Sequence, residues 1–358
     1  MRAVVLKRGA RSPHLMEWAE PAVSGESDTL LETVEVGLCG TDALLLEGTE
    51  GAPPAGEESL ILGHEGLARV LTPARGSVLQ AGDLVVSAVR WPDPKPCEAC
   101  GIGRADLCLN EGWTEHGIRG RHGFMVDRWS TAASRLVAVP PELKETAVLL
   151  EPLSVVVNLL EKLHLVERTT LGRGQFAVVV GAGPVGLLTA CMLTLEGRRV
   201  LLVDRLDPRG RRGRTVAALS LEYLQVGDLS DDDEFRHRLR EADVVIEAAG
   251  APAAVLPALT LCRANGTVGV LGTGQRSAPV TVDTNEVAQE LVQHNKAVIG
   301  SVNASFDHLR ASVDALGRIT TRWPGVLEAM VDRYQPAELT SVLRRPADQY
   351  VKSAISFE

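Results

Sequence analysis

The chain is poor in aromatic residues: Phe, Trp and Tyr together make up 4% of its 358 residues. It also lacks an excess of positive charge, with 37 Lys and Arg against 46 Asp and Glu and a formal net charge of −9. That balance, with no long basic run, argues against a nucleic-acid footprint or binding to an anionic membrane. The local exception runs from Arg209 to Arg214 and reads equally well as a solvated loop or a phosphate site. No apolar run approaches the roughly 20 residues of a membrane span. Met1-Arg-Ala-Val-Val-Leu6 opens into a strand-like segment without the apolar core and cleavage site of a signal peptide. Cysteine is scarce and uneven: Cys97, Cys100 and Cys108 cluster, while Cys39, Cys191 and Cys262 stand apart. In an intracellular chain of this size the pattern favours metal ligation over disulfides. A cytoplasmic protein is expected.

What is present is an ordinary globular composition, 45% hydrophobic and 23% charged, spread over a length that suggests two domains. The most informative stretch is Phe176-Ala-Val-Val-Val180 running into Gly181-Ala-Gly183-Pro184-Val185-Gly186. A helical pattern follows from Leu187 to Glu196, then a second strand-like run, Arg199 to Asp204, ends in an acid followed by Arg205. Gly181 allows the tight strand-to-helix turn. Gly183 lets backbone approach a pyrophosphate, and Gly186 lets the helix lie close on the strand. The helix N-terminus offers free N–H groups and the positive end of its dipole to the phosphates. A lone glycine motif is weak, but strand, loop, helix, second strand and terminal acid in this order predict dinucleotide binding.

The first 165 residues carry short β-like pieces, such as Ala3 to Leu6, Leu30 to Val36, Gly66 to Leu71 and Asp83 to Val89, punctuated by Gly and Pro. Glu145 to Leu165 reads as a crossing helix. Beyond Gly174 the texture becomes alternating strands and helices: Asp243 to Glu247, a helix from Ala253 to Cys262, Gly266 to Leu271, and Ala297 to Ser301. Such alternation implies an α/β unit with a doubly wound parallel sheet. Asp307 to Leu316 and Pro324 to Arg333 are expected as helices, and Tyr350 to Phe357 as a last strand rejoining the N-terminal domain. The domains are expected at 1–165, completed by 305–358, and at 166–304.

Gly37-Leu-Cys39-Gly-Thr41-Asp42 and Gly63-His64-Glu65-Gly66 each follow an apolar run, and Glu151-Pro152 opens the crossing helix. A thiolate, an imidazole and a carboxylate form a set that suits zinc with one position left open, although single distant ligands are not a specific motif. These segments, followed by Gly181-Ala-Gly183-Pro-Val-Gly186, resemble the zinc-dependent medium-chain alcohol/polyol dehydrogenases, in that family's order and over essentially the whole chain. Glu115-His-Gly-Ile118 with His122-Gly-Phe-Met125, Leu150-Glu151-Pro152-Leu-Ser154, and His294 to Asn303 are similar to the archaeal-type glucose 1-dehydrogenases of that superfamily.

The resemblance implies a β-rich GroES-like catalytic domain and a Rossmann domain. It implies catalytic zinc on Cys39, His64 and Glu65, with Glu151 near the metal directly or through water and also able to hold substrate. Thr41 would take the substrate proton, Glu115 would hold sugar hydroxyls, and Asn303 would lie near the nicotinamide and the sugar. The bland alternatives are a Glu65 that stands behind the ligands and a Glu115 that is a solvated loop acid. Cys97-x2-Cys100-x7-Cys108 matches three of the four cysteines of the family's structural-zinc lobe, Pro94 standing at the first position. Asp93, Glu98 or Glu111 would have to complete a closed site. Many relatives place a histidine five residues after the cysteine ligand; here that residue is Leu44.

The implied reaction is hydride transfer from a cyclic sugar or polyol, D-glucose C1 first, to a nicotinamide. A dehydrogenase of another cyclitol, amino sugar or secondary alcohol is the alternative, and a fold-retaining binding protein without catalysis is the reading outside enzymes. The low aromatic content suits a polar substrate. Asp204 favours NAD, while the arginines that follow leave NADP possible. A homodimer or homotetramer is expected.

Overall fold

The computed structural model describes the whole chain except residues 23, 24, 50, 171–173, 228, 230, 231 and 273–280. The chain divides into two compact units. The first comprises Met1–Ser154, Asn303–Gly317 and Leu327–Glu358; the second comprises Val155–Val302 and Arg318–Val326.

The first unit is built on a mainly antiparallel sheet whose central strand, Asp28–Leu38, is the longest in the molecule. It pairs with Glu65–Thr72 along its length, with Arg128–Ala132 over its first half, and with Lys352–Ser356 over its second half. The last strand of the chain therefore joins the N-terminal sheet, as expected. Alternation along these strands sends Leu31, Val36, Ala68, Val70 and Val85 into a core shared with Phe124, Met125 and Ile355.

One expectation fails here. Pro324 to Arg333 is not a helix: a 3₁₀ turn at Glu328–Met330 leads into a strand, Val331–Tyr334, parallel to Lys352–Ser356. Val331 is buried, and Arg333 donates from Nε to Glu35 Oε2 at 2.7 Å. The sheet partner overrides the helix-forming Leu-Glu-Ala-Met that precedes it.

The second unit is a six-stranded parallel sheet. Its order is Glu222–Gln225, Arg199–Asp204, Phe176–Val180, Val244–Glu247, Thr267–Val270, Ala297–Gly300. Chain order reverses at Phe176–Val180, which is the Rossmann arrangement and sets a switch point at the carboxyl end of that strand. The strand is fully buried, as continuous Val and Ala demand of a parallel strand covered on both faces. The first helix spans Pro184–Leu195 with proline in its first turn, where no N–H is needed. Among the described residues no helix is long and apolar enough to cross a membrane.

Candidate active site and dinucleotide site

In the first unit, the central strand ends at Leu38 and Cys39 caps the helix Gly40–Glu47. The cap is reciprocal: Thr41 N donates to Cys39 Sγ at 3.3 Å, and Cys39 N donates to Asp42 Oδ2 at 2.9 Å. The thiol is thus held at a helix N-terminus, where negative charge is favoured. His64 follows the strand Ser59–Ile61 and sets Nε2 3.0 Å from Cys39 Sγ. Its other nitrogen, Nδ1, lies 4.0 Å from Asp42 Oδ1, and both atoms are buried without a hydrogen-bond partner.

One ligand atom each from Cys39, His64 and Glu65 falls within 4.8 Å of the others. A sulfur, a nitrogen and a carboxylate converging beside orphaned polar atoms fit a zinc ion. Asp42 stands where a carboxylate fixes the tautomer of a ligating imidazole. Sequence reading quoted Asp42 but gave it no role.

Glu65 has a second partner that no sequence signal announced. Lys352 Nζ, 1% exposed, donates to Glu65 Oε2 and, at 2.9 Å, to the carbonyl of Leu38. A β-carbon on Gly37 would meet Glu65 Oε2 and crowd the Lys352 side chain, so any larger residue at this strand position would force the buried pair to shift. Glu151 lies in the first turn of the helix Leu150–Glu167. Burial first, and the Glu65 charge second, push its carboxyl up to about 7.

Glu115 and Asn303 also meet, across 188 residues of sequence. Asn303 Nδ2 donates to Glu115 Oε1, which also accepts from Arg90 Nε at 2.9 Å. Glu115 is 6% exposed on the strand Thr114–His116, so it is not a solvated loop acid. Asn303 holds a left-handed backbone, φ 57°, and its side-chain Oδ1 accepts from Ala304 N at 2.7 Å. Arg90 was not singled out in the sequence.

Three sulfurs gather in the lobe at Cys97, Cys100 and Cys108, with Cys97 3.7 Å from Cys100 and 4.0 Å from Cys108. Among the described residues no carboxylate joins them within 4.8 Å. Asp93 instead accepts from Lys95 N at 2.6 Å and Gly112 N at 3.0 Å. The backbone N–H of Leu109 and that of Cys100 lower the Cys97 thiol to about 6. Thiolate character and convergence fit a soft divalent metal. All six cysteines are free.

In the second unit, a cavity of about 520 Å³ is lined by Gly181, Gly183, Asp204, Arg205, Arg212 and Ala249, among others. Gly181 takes φ 105°, and a β-carbon on Gly186 would lie 1.8 Å from the Gly181 carbonyl, so the helix meets the strand through glycine alone. Asp204 Oδ2 accepts from Ala182 N at 2.7 Å, and Oδ1 accepts from Leu206 N at 3.1 Å. The expected acid therefore also ties the glycine loop to the second strand. The arginine run is not all loop: Arg211–Ala218 is a helix, and Arg212 Nη1 stands 3.7 Å from Asp204 Oδ2. Arg209 is instead bound to Asp207.

The family described as "Glucose dehydrogenase C-terminus" matches residues 144–357, and that described as "Alcohol dehydrogenase GroES-like domain" matches residues 25–141. The chain belongs to the glucose dehydrogenase branch of the zinc-dependent medium-chain alcohol/polyol dehydrogenases. Within that branch it is 36% identical over 310 residues to a glucose 1-dehydrogenase of Methanocella arvoryzae, covering 86% of each chain. It is 36% identical over 346 residues to that of Thermoproteus tenax, covering 94% of each. The structure of Haloferax mediterranei glucose dehydrogenase in complex with NADP, Zn and gluconolactone superposes with a TM-score of 0.90 at 29% identity, covering 100% of this chain and 99% of that one.

Proposed function

We propose that the protein oxidises the C1 hydroxyl of a cyclic sugar, D-glucose first, to the lactone, passing hydride to NAD or, less readily, NADP. The observation that carries this reading is the convergence of Cys39, His64 and Glu65 within 4.8 Å, in a chain whose relatives are glucose 1-dehydrogenases. Zinc held by Cys39, His64 and Glu65 would polarise the hydroxyl and lower its pKa, and a bound nicotinamide would accept hydride.

The remaining work belongs to the chain. Asp42 orients His64 through Nδ1, and Lys352 balances the charge of Glu65 and limits how far its carboxylate reaches. Thr41, on the helix that Cys39 caps, takes the hydroxyl proton; with Leu44 at the usual histidine position, onward release uses another group. Glu151 stands beside the set as a carboxyl that can hold a proton near neutrality and accept a sugar hydroxyl. Glu115 and Asn303 form a joined acceptor and donor for further hydroxyls, with Arg90 donating to Glu115 and holding it in place. Gly181, Gly183, Pro184, Val185 and Gly186 receive the pyrophosphate. Asp204 and Arg205 would serve the ribose of a bound dinucleotide, and the resemblance assigns Asn303 to its nicotinamide. Cys97, Cys100 and Cys108 would hold a second, structural zinc. A cytoplasmic homodimer or homotetramer completes the reading.

Initial rates across aldoses, cyclitols and simple secondary alcohols, with both cofactors, test it. D-glucose should give the highest specificity constant. A clear preference for a non-sugar alcohol would overturn the substrate assignment and favour a pathway-specific secondary-alcohol dehydrogenase.

A further inference from the structure

The first unit contains a second cavity, of about 460 Å³, whose walls include Trp18, His116, Arg121, His122, Phe124 and Trp129. That volume lies within the range of small-molecule sites, roughly 300–1,000 Å³. None of Cys39, His64, Glu65, Glu115, Glu151 or Asn303 lines it, so it is not the sugar site proposed above. Its walls are flat rings in ordered contact. Phe124 meets Trp129 at 4.5 Å and His116 at 4.6 Å between ring centres, both at a tilt, and Trp18 meets His122 edge-on at 5.3 Å.

The polar inventory of these walls is lopsided. Trp129 is 7% exposed, yet its indole N–H has no acceptor. Arg128, also a wall residue, has a buried Nε with no acceptor, although its Nη2 binds Glu20 at 2.6 Å. Among the described residues Arg121 reaches only Thr114 Oγ1, at 3.4 Å, rests over the Trp91 ring at 4.1 Å, and has no carboxylate partner. Among the described residues Glu20 is the only acid in the walls, and it is committed to Arg128, with the N-terminal ammonium 3.9 Å away.

The histidines do not redress this. His122 Nε2 is bonded to Glu57 at 2.9 Å. His116 accepts from Trp91 Nε1 at 3.0 Å and donates from Nδ1 to the His122 carbonyl at 2.7 Å, which fixes it as a neutral ring. The cavity thus offers N–H donors and an uncompensated guanidinium, and almost no free acceptor. A cation would face Arg121 and Arg128, and a neutral donor-rich ligand would set N–H or O–H against N–H.

We propose that this cavity binds a small organic oxyanion, a carboxylate or phosphate ester on a ring-shaped body. The oxyanion engages Arg121 and the Trp129 N–H, and the ring lies against the aromatic wall.

The zinc-loaded enzyme would be titrated with benzoate as the carboxylate probe and glucose 6-phosphate as the phosphate probe, with glucose and inorganic phosphate as controls. Tryptophan fluorescence and calorimetry would be the readouts. The expected result is saturable binding of one or both probes at one site per chain, unaltered in Cys39→Ser. Arg121→Gln should weaken it about tenfold or more, Arg121→Lys should restore part of it, and Trp129→Phe should weaken it several-fold. Turnover of glucose by Arg121→Gln should stay close to wild type. Whichever probe binds more tightly identifies the source of the oxyanion. Failure of both probes to bind the folded enzyme overturns the proposal. So does binding that Arg121→Gln and Trp129→Phe both leave unchanged in proteins that melt like the wild type, or binding that disappears in Cys39→Ser.

Discussion

The ammonium of Lys352 and the carboxylate of Glu65 are hydrogen-bonded to each other with side-chain exposures of 1% and 2%. Breaking such a pair from one side strands a charge in the interior. Lys352→Met should therefore destabilise the protein by about 3–5 kcal/mol, whereas Lys352→Met with Glu65→Gln should recover much of that loss. Thermal melting of the single and double variants checks this. Equal melting temperatures for wild type and Lys352→Met would show that the pair contributes no net stability.

The proposed ligands should be separable from the nucleotide site, because they belong to different units. Cys39→Ser and His64→Ala should abolish turnover and catalytic zinc, and cofactor titration should remain within about twofold of wild type. Full activity in a preparation shown by elemental analysis to be zinc-free would contradict the ligand assignment.

Glu151 makes a pH prediction. Its carboxyl is raised from an ordinary 4.5 to about 7, by burial first and Glu65 second. Folding therefore favours its protonated form. That contribution to stability is complete below pH 4.5 and is lost as pH rises through about 7. In metal-stripped protein, melting temperature should fall across this window in the wild type and fall less in Glu151→Gln. Zinc competes with the same proton, so zinc affinity should rise over the same range. Superimposable melting curves for the two proteins would remove Glu151 as the titrating group.

Glu115 holds Arg90 as well as Asn303, so Glu115→Ala would confuse binding with folding. Glu115→Gln keeps the shape and loses the charge. It should raise KM for glucose about tenfold, from roughly 1.5 kcal/mol of weakened charge-assisted hydrogen bonding, with a smaller change in kcat. Unchanged kinetics would reduce Glu115 to a structural partner of Arg90.

Cofactor choice depends on Asp204 and Arg212. The acid disfavours a 2′-phosphate, and the arginine 3.7 Å away offsets part of that repulsion. Wild type should prefer NAD. Asp204→Asn should move the ratio of specificity constants toward NADP by about tenfold, or about 1.4 kcal/mol, and Arg212→Ala should move it the other way. A wild-type preference for NADP would assign the decision to the arginine.

The nucleotide unit was readable in the sequence because its signals are local. A buried strand, its glycine loop and the acid that follows lie within about thirty residues, and the inner strands of the parallel sheet show as apolar runs, whereas the edge strand Glu222–Gln225, with Glu and Gln at its ends, gave no such signal. The zinc set was readable only through resemblance, since Cys39 and His64 come from separate turns whose approach is a property of the sheet. Lys352 and Arg90 were illegible because nothing near them in sequence marks them. Lys352 is a lone lysine in a short strand, and its burial follows from Gly37 and Glu65 on strands formed far earlier in the chain. The helix expected over Pro324 to Arg333 failed for the same reason: Val331–Tyr334 is a strand because a later strand lies beside it. The run from Arg209 to Arg214 left a solvated loop and a phosphate site equally open, since charge alone does not mark a helix start, yet Gly210 caps a helix that places Arg212 at the acid.

The late arrival of Lys352–Ser356 also has a consequence for biosynthesis. The central strand Asp28–Leu38 leaves the ribosome early, but the segment that covers its second half is separated from it by the whole second unit, Lys352 lying 314 positions after Leu38. At roughly 5–20 residues per second, the half-covered strand waits on the order of 15–60 s for its neighbour. Throughout that interval Glu35 to Leu38 present unpaired backbone, and Glu65 lacks its buried counter-charge. Translation that stalls or terminates before residue 352 leaves an open β edge beside an uncompensated acid, a nascent chain prone to pair with its own kind.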